Sequence, residues 1–100
     1  MSDSVSVFAT FRPVPGKEEA LRAGLAPTVE TTRREPGNEA YDPCSSNGEH
    51  RAFHLVERCS DAAAGDEHRA TPHHQAHRAQ LPAVLVSPVE VVALTPQDVR

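Results

Sequence analysis

The chain has 100 residues and a formal charge of −4 with no block of either sign, which limits it to one domain and argues against nucleic acid or an anionic membrane surface as a partner. Its only aromatic residues are Phe8, Phe11, Phe53 and Tyr41, and tryptophan is absent, so the core must be mostly Val, Leu and Ala. A small, mostly uncharged ligand suits this composition.

The N-terminal Met1-Ser2-Asp3-Ser4 is acidic and lacks the basic stretch and apolar run of a signal peptide,. No window approaches the ~18 apolar residues of a membrane span. A cytoplasmic protein is expected, with Cys44 and Cys59 reduced, because their spacing fits neither a zinc knuckle nor a redox motif. Residues 4–12 are rich in β-branched and aromatic residues and alternate Val5, Val7, Ala9, Phe11 against Ser6, Phe8, Thr10, Arg12, the period of a strand,. Pro13-Val14-Pro15-Gly16 ends it. Residues 17–35 carry Leu21, Leu25, Val29 and Thr32 at helical spacing,. Pro27, with Gly24 nearby, predicts a kink between residues 23 and 28, because its ring crowds the Ala23 carbonyl.

Glu35-Pro36-Gly37 stops the helix. Two strands, over 39–44 and 50–58, flank Asn47-Gly48, the dipeptide that best suits a two-residue hairpin turn,. That turn sets Cys44 opposite Arg51 and Tyr41 opposite His54, and holds Cys59 roughly 25 Å along the ladder from Cys44, beyond disulfide reach. Pro43 cannot donate to a ladder and belongs on an edge strand. Ser60-Asp61 caps a short helix to about residue 70, and Thr71-Pro72 starts another that runs to about 81,. Residues 89–95 form the last strand.

The resulting order, β-α-β-β-α-β, is an α+β fold, a ferredoxin-like plait with sheet order 4-1-3-2 and the helices on one face. The first and last strands are apolar on both faces, so the helix-free face needs a cover. A second copy related by a two-fold axis is the simplest one, which predicts a homodimer packed sheet to sheet.

Four stretches, Phe11-Arg12-Pro13-Val14-Pro15-Gly16-Lys17-Glu18-Glu19-Ala20-Leu21, Arg34-Glu35-Pro36-Gly37 with Tyr41-Asp42, Phe53-His54-Leu55-Val56-Glu57-Arg58, and His68-Arg69-Ala70-Thr71-Pro72-His73, resemble the antibiotic biosynthesis monooxygenase family in that order. The resemblance spans nearly the whole chain. It implies a dimeric α+β barrel with a pocket between sheet and helices in each subunit. It also implies a cofactor-independent monooxygenase that oxidises a small planar phenol, anthrone or quinol with dioxygen, with no metal or flavin. Cys59 stands where the family commonly has an aromatic ring, and Ala9 and Thr10 stand where haem-degrading relatives have an asparagine, so haem degradation is not implied. The competing expectation is a non-catalytic small-ligand-binding or stress-related module of the same fold.

Such an oxygenase needs a base, donors for a developing anion and a dry cavity. Four of the six histidines fall at 68, 73, 74 and 77, where titration near neutral pH suits proton chemistry. His68, on the helical layer that the family motif turns toward the pocket, is the first candidate for the base. His73 and His74 sit at a helix start whose dipole favours neutral imidazoles, and His73 is the second candidate. His77 shares a face with either of them, but no third ligand lies nearby beyond Glu67 or His68, and no metal is expected. Alternation along the third strand turns Phe53, Leu55, Glu57 and Cys59 to the pocket. Glu57 is then a partly buried carboxylate, either kept in its acid form or paired with a partner such as Arg12. Tyr41, Asn38 and Arg34 are candidate donors to a substrate oxyanion.

Overall fold

A computed structural model describes residues 3–47 and 51–98. Strand β1 (Val5–Phe11) leads to helix α1 (Glu18–Arg33), then β2 (Asn38–Ser45), β3 (Phe53–Cys59), helices α2 (Ala62–Arg69) and α3 (Pro72–Gln80), a 3-10 turn (Leu81–Ala83) and β4 (Glu90–Leu94). The sheet is antiparallel with order β2-β3-β1-β4, the predicted plait. Pro43 lies on the edge strand β2, where its missing N–H disturbs no ladder,.

Local chemistry accounts for the element ends. Gly16 turns the chain into α1 with φ of +90°, a conformation that side chains disfavour, and its N–H donates to the Glu18 carboxylate at 3.0 Å,. The Asp61 carboxylate accepts from Ala64 N–H at 2.8 Å to start α2. Thr71 caps α3, with Pro72 in its first turn,. Helix α1 continues through Pro27 and buries Leu21, Leu25, Thr28 and Thr32 against the sheet. The core gathers Ala9, Phe11, Leu21, Tyr41, Leu55, Leu81 and Leu85.

The β2–β3 register departs from the predicted hairpin. Cys44 pairs with His54 and Tyr41 with Glu57, a shift of three residues from the expected pairing. An odd shift carries each β2 side chain to the other face. Beyond the last strand pair the Ser46 N–H donates to the Ala52 carbonyl (2.9 Å) and the Ala52 N–H to the Ser46 hydroxyl (3.0 Å). The expected Asn47-Gly48 turn falls on Gly48, which lies outside the described residues. Burial explains the outcome, since this register places Tyr41, 2% exposed, under α1 with its hydroxyl 3.0 Å from Thr28 Oγ1,. Both cysteines are free, Cys44 on the surface and Cys59 buried.

The helix-free face of the sheet stays open. Val56, Val92 and Leu94 are 39, 53 and 46% exposed there, beside a stacked Phe8–His54 pair with ring centroids 5.1 Å apart.

Candidate functional site

Between β1, β3, β4 and the helix pair α2–α3 lies a cleft of about 100 Å³, with Val5, Val7, Ala9, Val89 and Val91 as an apolar wall. Glu57 and Cys59 reach it from β3, His68 from α2, and His74 and Arg78 from α3. Strand alternation explains the wall, because these positions of β1 and β3 face the helices while Phe8, His54 and Val56 face the open side,.

His68 anchors the site at the last turn of α2 and is 5% exposed. Its Nδ1 lies 3.0 and 3.1 Å from the two Glu35 oxygens. Its Nε2 lies 3.3 Å from Glu57 Oε1, an ion-pair distance without good hydrogen-bond alignment. Burial works against the His68 cation, but hydrogen bonds and charge from Glu57 and Glu35 outweigh it, and the pKa rises above the ordinary histidine value,. His73 Nε2 meets the same Glu35 Oε2 at 2.6 Å and Thr71 Oγ1 at 3.2 Å. The Thr71 hydroxyl gives its proton to the His68 carbonyl at 2.7 Å, so its contact with His73 is an N–H donating to oxygen. Glu35 is thus a carboxylate shared by two imidazoles.

His74 stands edge-on to His68, with ring centroids 4.6 Å apart. Burial, followed by the charges of His68, Arg78 and His77 and opposed by Glu57, lowers its pKa to about 4 and keeps it neutral at physiological pH. Burial raises the Cys59 pKa, and the Glu57 and Glu35 charges raise it further, so the thiol stays protonated and makes a poor nucleophile. Burial likewise raises Tyr41, with Thr28 opposing and the Glu57 charge adding. The Tyr41 ring supports His68 from the side, 5.9 Å between centroids.

The other candidates spread over the molecule. Leu55 is in the core. Phe53 lies under the Arg22 guanidinium (5.6 Å) in a separate groove beside α1 and β2. The Asn38 amide donates to the Ala40 carbonyl at 3.1 Å across the β2 bulge, and Arg34 caps α1 on the surface. Two expected pairings are corrected. The partner of Glu57 is His68, because Arg12 shares the opposite sheet face with Glu90 and binds it at 2.7 Å. His77 does not join His73 or His74; it packs against Phe11 at 6.2 Å between centroids, with its pKa lowered by burial and by Arg78. Glu35, read in the sequence as a helix end and as part of a family stretch but given no role in the site, is the residue that sequence reasoning missed. Together with His68 and His73 it brings one donor atom each within 4.8 Å, a set capable of holding a metal.

The profile of the family described as antibiotic biosynthesis monooxygenase matches residues 4–80. The chain belongs to that family. It is 41% identical over 100 residues to the protein named "Putative monooxygenase Rv0793" of Mycobacterium tuberculosis, covering 98% of this chain and 96% of the relative. The solved structure of Rv0793 superposes with a TM-score of 0.90 at 40% identity, covering 95% of this chain and 96% of that one. Protein SO0527 from Shewanella oneidensis gives 0.84 at 35% identity, with 94 and 93% coverage. PA3566 from Pseudomonas aeruginosa gives 0.90 at 28%, with 98% of each chain covered. Among the described residues no helix of this family member is long and apolar enough to cross a membrane.

Proposed function

We propose that this family member is a cytoplasmic monooxygenase that oxidises a small planar phenol, anthrone or quinol with dioxygen, without a resident cofactor. The observation that carries the reading is a buried histidine flanked by Glu57 and Glu35 beside an apolar cleft. In an anthrone the reacting methylene becomes a carbonyl. One atom of dioxygen enters the product and the other leaves as water, so the substrate supplies all four electrons.

Glu57, facing the cleft, accepts the first proton. His68, whose pKa the neighbouring carboxylates raise, lies beside Glu57 and is placed to stabilise the developing substrate anion,. His73 acts through Glu35 by holding the far side of the His68 ring. Cys59 contributes to the cleft lining, while Tyr41 and Leu55 support it from below and Asn38 steadies the strand that carries Tyr41. Phe53 and Arg34 lie too far away to contact the reacting atoms.

The test is oxygen uptake with a panel of anthrones and quinols. Glu57→Gln and His68→Asn are expected to lower the rate about 100-fold. Uptake no faster than the uncatalysed rate with every substrate removes the enzyme assignment.

The cleft volume favours a second reading. About 100 Å³ is well below the ~300 Å³ at which pockets for drug-sized ligands begin, which suits a module that binds a smaller molecule and has no chemistry. Arg78 and Val89 also border an adjoining groove of about 350 Å³, so movement of the Arg78 side chain would enlarge the space for the catalytic reading.

The open sheet face is assigned to a homodimer. Val56, Val92 and Leu94 are a contiguous apolar set, of the kind that association covers. Sedimentation equilibrium at micromolar concentration is expected to give twice the chain mass, falling to one chain mass in Val92→Asp. A monomer for the unaltered protein overturns the assignment.

A further inference from the structure

We propose that Glu35, His68 and His73 form a binding site for one divalent first-row transition ion of the zinc class. The three come from different elements: the end of α1, the last turn of α2 and the first turn of α3. Their donor atoms nevertheless converge within 4.8 Å. Two imidazoles and a carboxylate are the donor set that zinc, iron, cobalt and nickel favour, whereas calcium and magnesium prefer oxygen alone.

Geometry supports the assignment. Glu35 Oε2 stands 3.0 Å from His68 Nδ1 and 2.6 Å from His73 Nε2, and in the metal-free protein hydrogens occupy both gaps. Ligands about 2.0–2.1 Å from zinc stand about 3.3 Å apart in a tetrahedron, so the two Glu35 gaps must widen by less than an ångström, while the His68 and His73 nitrogens already lie within 4.8 Å of each other. His73 has the freedom to supply that movement, with 24% of its side chain exposed against 6% for His68.

A second observation is independent of the donor set. The far nitrogen of His68 is buried without a hydrogen-bond partner and lies 3.3 Å from Glu57 Oε1, so a small turn of the ring on metal binding would give it the carboxylate partner that orients metal-binding imidazoles. An ion at Nδ1 would also place positive charge beside the Glu35 carboxylate. Because the ion would use the nitrogen that points away from the cleft, the site does not depend on the proposed oxidation.

The experiment is calorimetric titration of chelator-stripped protein with zinc chloride, paired with cobalt(II) absorption spectra. One ion per chain and cobalt bands of a low-coordinate site are expected. His73→Ala and Glu35→Gln, shown to be folded by circular dichroism, should each weaken zinc binding by about tenfold or more. Glu57→Gln should weaken it about tenfold through orientation alone. His54→Ala, on the opposite face of the sheet, should leave it unchanged. Absence of one-to-one binding, or an affinity that a folded His73→Ala variant retains, overturns the proposal, as does an equal loss in His54→Ala.

Discussion

Replacing Gly37 with alanine is expected to lower the unfolding free energy by about 2 to 3 kcal/mol and the melting temperature by about 10 to 20 °C. Gly37 lies where the end of α1 passes the start of α2. Its carbonyl accepts the Ser60 N–H at 2.8 Å. A methyl group there would fall well inside contact distance of the Ala64 side chain and 3.3 Å from Ser60 Oγ, and Ala64 is held by the Asp61 cap. The strain would reach the site directly, since Glu35 is two residues away and ties α1 to His68 and His73. Thermal unfolding of Gly37→Ala, Ala64→Gly and the double variant checks this. Ala64→Gly should cost about 1 kcal/mol on its own yet recover much of the loss in the Gly37→Ala background. Strictly additive effects would refute the close-approach explanation.

Acidification from pH 7 to about pH 4 is expected to remove about 2 to 3 kcal/mol of stability through His74. The sign follows from where the proton binds. In the unfolded chain this imidazole protonates near 6.5, but in the folded chain it resists until about 4, because it is buried and faces His68, Arg78 and His77, with the Glu57 charge opposing. Between those values protons favour the unfolded chain. His77, buried against Phe11 beside Arg78, contributes with the same sign. The raised pKa of His68 acts oppositely: its stabilisation is complete below the unfolded value and is lost as pH rises through the folded value. Denaturant unfolding across this range, with a chelator present, should show a maximum near neutrality. His74→Gln should flatten the acid limb and His68→Gln the alkaline limb. An acid limb unchanged in His74→Gln would refute the assignment.

Much of the plait was legible residue by residue. Period-two alternation marked β1, the 3.6-residue spacing of leucines marked α1, and the Asp61 and Thr71-Pro72 caps located α2 and α3. Pro43 pointed correctly to an edge strand. In β3, alternation turned Glu57 and Cys59 toward the helices, as found. The β2–β3 turn was misread because Asn47-Gly48 carries a local preference of modest size, and burying Tyr41 and Leu55 together outweighs it,.

The sequence alone determined the elements, the edge strand and the histidine-rich turn from α2 into α3, because each follows from interactions within a few residues along the chain. Tertiary structure alone decided that Glu35, and not Glu67 or His77, joins His68 and His73. Glu35 is 33 residues from His68 and 38 from His73, and no periodicity or cap links positions so far apart. What joins them is the packing of α1 against α3 across one sheet, which brings a carboxylate beside two imidazoles that burial would otherwise leave uncompensated.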